Sequence, residues 1–282
     1  MAFRSPAIGE VVATLQLDRT GEDQFTATQL DNDAHHIAGG HLGAQALMAA
    51  AGTAPERRPH SFHAYYLRAG DSRYPVQLTV GTARDGRTLA TRTVTASQDG
   101  QVLLEALVSF TVGLESLDYQ DPMPSVPEPL SVPPLPEALA GYAAEYGGFW
   151  VRPQPFEFRY LDLHPRQAAD IADADSRIRI WWRPTDPIPD DPVLNAALLT
   201  YLTGTTLLES AMIARRAIPA ATFSALVDHA VWFQRPVNLN DWVLSDQRSP
   251  SGVAGRGLAG ATLYNRSGEL VAVVNQELYF GR

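Results

Sequence analysis

Apolar residues are spread around every side of one stretch, Asp191–Arg216, DPVLNAALLTYLTGTTLLESAMIARR. Asp191 and Pro192 are start signals, a side-chain acceptor followed by a residue whose missing N–H costs nothing in a first turn. Arg215 and Arg216 suit the carboxyl end of a helix dipole, and Pro219 blocks continuation. A helix apolar on all sides is a membrane span or is enclosed by protein. Glu209, four threonines and Gly204 argue against a span. The pattern predicts a central helix wrapped by a sheet.

Period-two alternation predicts most of the rest as strands. Phe25–Gln29 is a short strand, followed by a polar loop at Leu30–His36 and a small-residue helix over His41–Ala51. His60–Arg68, Val76–Thr82, Arg87–Ser97 and Gln101–Val112 are then four strands, the last two joined by the hairpin signal Asp99-Gly100. Asp121–Pro136 is too rich in proline to pair in a sheet or continue a helix, and reads as an extended surface linker. Beyond it come strands at Phe156–Leu161 and Arg177–Trp182, the central helix, and strands at Phe223–Phe233, Asp241–Arg248, Gly257–Tyr264 and Glu269–Tyr279.

The second order repeats the first, and residues repeat with it. Gly86-Arg87-Thr88-Leu89-Ala90 matches Gly255-Arg256-Gly257-Leu258-Ala259 at an offset of 169 (87 to 256). Asp99-Gly100 matches Ser267-Gly268 at 168 (100 to 268), and Arg68 matches Arg235 at 167 (68 to 235). An internal duplication follows. The expected organisation is an N-terminal repeat over residues 8–117, a proline-rich linker over 118–150 and a C-terminal repeat over 151–282, with the two sheets joined edge to edge.

Composition removes several function classes. A net charge of −9 disfavours nucleic acid. With no cysteine, disulfides, thiolate metal sites and cysteine nucleophiles are excluded. The seven histidines lack zincin spacing, so no metal is expected. MAFRSPAIGEVV carries no secretory pattern, so a cytoplasmic protein without a membrane span is expected.

One helix wrapped by an antiparallel sheet, present twice, is an α+β double hotdog. The chain resembles the acyl-CoA thioesterase II family, through Gly39-Gly40-His41-Leu42-Gly43-Ala44-Gln45-Ala46-Leu47, His60-Ser61-Phe62-His63, Leu67-Arg68-Ala69-Gly70-Asp71, and Asp228-His229-Ala230-Val231-Trp232-Phe233 running into Arg235-Pro236-Val237-Asn238. The resemblance implies hydrolysis of fatty acyl-CoA without metal or organic cofactor, in a homo-oligomer (dimer or tetramer). It also implies a water-orienting set of an Asp on the second central helix, a Thr or Ser before the Asp-His pair, and a Gln on the last strand. Aligned on these motifs, the positions hold Gly204, Leu226 and Gln276, so only the glutamine is kept.

Several residues could compensate. Strand alternation puts Ser224 and Asp228 on the face of Leu226, making Asp228 a candidate base beside Gln276. Thr203 and Thr205 flank Gly204 but should point elsewhere at 100° per residue. Gly39 and Gly40 open a helix whose first N–H groups suit an oxyanion, with His41 as an acid or base. Arg68 and Arg235 are the candidate CoA phosphate contacts. Tyr65, Tyr66, Trp232 and Phe233 read as core or acyl-tunnel wall. Two other activities fit the same fold. Asp31-Asn32-Asp33-Ala34-His35-His36 superficially resembles the Asp and His pattern of hotdog enoyl-CoA hydratases. A non-catalytic acyl-CoA binder would keep the pocket without the water-activating set.

Overall fold

A computed structural model describes residues 5–30, 32–113, 117–218 and 222–281. Pro219 and Asp31 lie outside the described residues. The first half runs α1 (Ile8–Thr14), β1 (Asp18–Arg19), β2 (Gln24–Ala27), α2 (Gly39–Ala51), β3 (Arg58–Tyr66), β4 (Val76–Asp85), β5 (Leu89–Gln98) and β6 (Gln101–Thr111). After α3 (Leu135–Ala138), the second half runs β7 (Phe156–Tyr160), α4 (Pro165–Ala168), β8 (Ile178–Pro184), α5 (Pro192–Thr206), α6 (Leu208–Arg215), β9 (Ser224–Phe233), β10 (Val243–Val253), β11 (Arg256–Asn265) and β12 (Leu270–Phe280). Helix α1 had no clear sequence signal. It buries Ile8 and Val11 under the first repeat.

All twelve strands form one antiparallel sheet in the order β1-β2-β4-β5-β6-β3-β9-β12-β11-β10-β8-β7. The two halves meet at β3 and β9, where His63 pairs with Ala230. These residues are 167 apart (63 to 230), the same offset as Arg68 and Arg235, so the pseudo-twofold axis passes through that pair. Phe62 pairs with Val231 and Ala64 with His229 on either side of it. The fold is a double hotdog.

Helix α2 packs on β2 to β6, α5 on β3 and β9, and α6 on β10 and β11. Where α2 and α5 cross, glycine is required. A Cβ on Gly40 would lie 2.4 Å from the Tyr201 carbonyl oxygen, and one on Gly204 would lie 2.5 Å from Gly40 Cα. The all-round apolar stretch Pro192–Arg215 is 78% buried over its most apolar window, which places it inside the protein. It is not one helix as predicted but two, broken at Leu207. The threonines explain the break. Thr203, Thr205 and Thr206 each bond back to the carbonyl four residues earlier, a habit that bends helices.

The proline-rich segment crosses the surface of the second half, but it is not a bare linker. Met123 and Val126 pack on Trp181, Trp242, Leu244 and Tyr264, which form a second apolar cluster. The Trp181 indole N–H donates to the Pro127 carbonyl at 3.0 Å. Gln120 Nε2 donates to the Gly268 carbonyl at 2.9 Å, while its Oε1 accepts from the Leu270 N–H at 3.0 Å. Leu135–Ala138 makes a short helix after all, because its proline sits in the first turn, where no N–H is needed.

Candidate functional site

Below the glycine crossing, β9 and β12 present His229 and Gln276 as register partners on the inner face of the sheet. Gln276 is fully buried, and neither its Nε2 nor its Oε1 has a partner. His229 is 1% exposed, and its Nε2 lies 3.0 Å from Thr203 Oγ1. That hydroxyl donates to the Leu199 carbonyl at 2.9 Å, so its oxygen accepts the His229 Nε2–H. The tautomer leaves a lone pair on Nδ1, which is buried without a partner. Burial holds the ring neutral, its pKa pulled down to about 3. Buried polar atoms left open in this way are uncommon, and three of them belong to two register partners on one face of the sheet.

His229 was missed as a site residue because strict alternation sets it opposite Leu226. A bulge in β9 overturns that expectation. Glu277 pairs with Asp228 but Leu278 pairs with Leu226, so Val227 is the extra residue. Leu226 and His229 therefore share the inner face. Asp228 shares the outer face with its partners Glu277 and Tyr65, the latter 61% exposed. Its carboxylate accepts the Glu277 N–H at 2.8 Å, holding a donor at the bulge. Asp228 and Gln276 thus stand on opposite faces, and the structure does not bring them together. Ser224 does keep to the face of Leu226, through its pairing with Phe280.

Thr203 was expected to point away and does not, because His229 reaches it from beneath the helix. Thr205 turns instead to the Tyr201 and Leu202 carbonyls. Gly204 sits against Gly40, with His229 Cε1 3.6 Å from where its Cβ would be. Leu226 packs over Gly39, its Cδ1 2.6 Å from where a Cβ would stand. Beside it, the buried Tyr66 hydroxyl has no partner. Tyr65 is exposed, not core, and Trp232 and Phe233 are half-buried, Trp232 lying edge-on to His63 at 4.9 Å.

His41, although next to Gly40, belongs elsewhere. It lines a cavity of about 550 Å³ on the other flank of α5, together with Tyr201, Thr205, Glu209 and Tyr160. None of Gln276, His229, Gly204 and Leu226 lines that cavity. In the loop before α2, Asn32 Oδ1 accepts from the Ala34 and His36 N–H groups, both at 3.2 Å, so the described part of the hydratase-like hexapeptide is a self-bonded turn.

Arg68 and Arg235 occupy equivalent places. Arg68 Nη1 donates to the Val102 carbonyl at 3.1 Å, and Arg235 Nη1 donates to the Leu270 carbonyl at 3.0 Å, 168 residues further on. Arg235 also approaches Asp118 at 3.7 Å. No group of three or more metal-ligating side chains occurs among the described residues.

The match to known proteins runs through both repeats. The family model described as "Acyl-CoA thioesterase N-terminal domain" matches residues 28–111, and that described as "Acyl-CoA thioesterase" matches 172–279. Acyl-CoA thioesterase 2 of Haemophilus influenzae is 30% identical, with 97% of each chain covered. The chain belongs to the acyl-CoA thioesterase II family. Among solved structures, a tesB protein of Mycobacterium avium subs paratuberculosis is 42% identical with a TM-score of 0.83, covering 98% of this chain and 100% of that one. An acyl-CoA thioesterase II from Mycobacterium marinum is 31% identical with a TM-score of 0.79, covering 98% of each. Both matched regions lie within the two repeats, and the second includes His229 on β9 and Gln276 on β12.

Proposed function

We propose that this chain hydrolyses fatty acyl-CoA thioesters to the free acid and CoA, at the inner-face cluster of Gln276, His229 and Thr203. The observation that carries the reading is the set of three open polar atoms, Gln276 Nε2 and Oε1 and His229 Nδ1, buried beneath the start of α2. A water held by the Gln276 amide attacks the thioester carbon and gives its proton towards His229 Nδ1. The developing oxyanion faces the first-turn N–H groups at Gly39 and Gly40, which a helix leaves without intrahelical acceptors. The C–S bond then breaks and the sulfur takes up the proton. A thioester is reactive enough for positioning and polarisation to do most of the work. With a base as weak as His229, and with Asp228 bonded to the Glu277 N–H, turnover is slow.

Arg68 and Arg235 each commit one donor to a backbone carbonyl, Arg235 also faces Asp118, and the remaining donors serve the CoA phosphates. A soluble homo-oligomer without metal or cofactor completes the proposal.

One observation favours a second reading. Leu226 fills the space over Gly39 where a hydroxyl side chain would otherwise face the water. On that reading the chain binds acyl-CoA without cleaving it. Incubation with decanoyl-CoA and decenoyl-CoA separates the possibilities. Thiol release supports hydrolysis, binding without release supports the binder, and loss of enoyl absorbance supports a hydratase.

A further inference from the structure

Tyr66 ends β3 and shares its inner face with Phe62 and Ala64. Ala64 is the register partner of His229, and His229 of Gln276, so positions 64, 229 and 276 form one row across β3, β9 and β12. One step along that face, past the bulge in β9, Tyr66 and Leu226 are neighbours on adjacent strands. Both crowd the start of α2. A Cβ on Gly39 would meet Leu226 Cδ1 at 2.6 Å and Tyr66 Cε1 at 3.3 Å.

Residues four apart on a helix lie on one face, so Gly39 and Gly43 leave a groove for the tyrosine ring. At its far end the hydroxyl lies 2.7 Å from where a Gly43 Cβ would stand, and Phe62 Cζ reaches the same point at 3.3 Å. Phe62 and Tyr66 thus lean together over the small side chain of Ala64, which brings the hydroxyl over the row that holds His229 and Gln276. The third atom nearest that point is Thr200 Cγ2, another carbon. The Tyr66 oxygen is buried and has no partner. A phenylalanine would fill the same groove without the cost of burying an unbonded hydroxyl. Burial and the Asp228 charge both push the phenol well above its usual value, so it stays neutral and can donate and accept.

We propose that Tyr66 is a further catalytic residue, its hydroxyl bonding the attacking water in place of the hydroxyl that Leu226 cannot provide. The inference rests on hydrolysis at the Gln276 cluster. The Tyr66 oxygen accepts the water hydrogen that is not passed to His229 Nδ1, and the phenol's own hydrogen faces the thioester oxygen. Tyrosine keeps its proton throughout, so the balance of the reaction is unchanged. The first repeat then supplies a reacting group from β3 to a site whose other side chains come from the second.

Tyr66→Phe removes one oxygen and leaves the ring in its groove. Thiol release from decanoyl-CoA should fall about 10–100-fold in kcat with little change in KM, the scale of one hydrogen bond to a group that gains charge. The urea midpoint should hold or rise, because an unbonded buried hydroxyl does not stabilise the fold. A purely structural hydroxyl would do the reverse, lowering the midpoint and leaving kcat alone. Leu226→Thr should give a larger gain in the Tyr66→Phe background than in the wild type, since both hydroxyls serve one water. Unchanged kcat in Tyr66→Phe, or an equal gain from Leu226→Thr in both backgrounds, would overturn the proposal. Gln276→Ala, measured alongside, separates the two readings. If it loses activity while Tyr66→Phe does not, the role of Tyr66 alone is wrong. If it changes nothing, or the wild type releases no thiol, hydrolysis at this cluster is wrong and the role of Tyr66 falls with it.

Discussion

Gly40 and Gly204 touch backbone to backbone, so a Cβ on Gly204 would lie 2.5 Å from Gly40 Cα. The contact fixes the antiparallel crossing of the two central helices, which is repeated a turn further along by Gly43 and Thr200. It also leaves no room for a side chain at position 204. A carboxylate cannot be restored at that point without parting the helices.

Gly204→Asp should therefore lower stability by about 1–3 kcal/mol, the usual cost of overpacking, and should not raise thiol release. Urea denaturation and a thiol assay on the same preparation check this. A stable and faster Gly204→Asp protein would show that the crossing has slack.

Leu226 presents the opposite case, because removing bulk there opens space over Gly39. Leu226→Thr should raise thiol release about tenfold by returning a water-orienting hydroxyl to the inner face. Its stability cost should be that of a large-to-small change in a half-buried place, about 1–2 kcal/mol. A Leu226→Thr protein that is folded and no faster would mean the hydroxyl cannot reach the water.

Stability should peak near pH 6.5, for reasons of opposite sign on the two sides. Burial holds His41, His164 and His229 at about 4, about 3 and about 3, against an ordinary 6.5. Below 6.5 the unfolded chain takes up protons that the folded chain refuses, so stability falls with falling pH. Burial lowers His36, His60 and His63 in the same direction. Glu209 does the reverse. Raised from 4.5 to about 8, it keeps a proton that the unfolded chain has released, so stability falls as pH rises from 4.5 towards 8. One such proton is worth about 1.4 kcal/mol per pH unit. Melting curves at pH 5, 6.5 and 8 should show the peak, and Glu209→Gln should flatten the alkaline side. An unchanged alkaline slope in that variant would contradict the assignment.

Arg68→Ala and Arg235→Ala should each raise the KM for acyl-CoA and weaken its salt dependence, with a modest loss of stability from the carbonyl hydrogen bond, about 0.5–1.5 kcal/mol. Stability loss with unchanged KM would leave both arginines as struts between strand ends.

The repeat, the order of strands and helices along the chain and the central helices were legible in the sequence, because alternation, hairpin signals and the offsets near 168 are all local or periodic. The faces of the site residues were not. A single bulge at Val227 carries Asp228 to the outside and His229 to the inside, and no residue type in SALVDHAV announces it. The same limit hid the break at Leu207, where the threonines could be counted but their back-bonding could not. Glu209 had a visible signal, as the one acid in an otherwise apolar helix, yet its cavity is built by segments far apart in the chain.

The central claim is that Gln276 positions the attacking water, and the direct measurement is thiol release from decanoyl-CoA by the wild type and by Gln276→Ala, with circular dichroism to confirm folding. Loss of about 10²–10³-fold in kcat with the fold intact is predicted, the scale of removing one preorganised hydrogen-bonding group. An unchanged rate in Gln276→Ala, or no release by a wild type that still binds decanoyl-CoA, would contradict it.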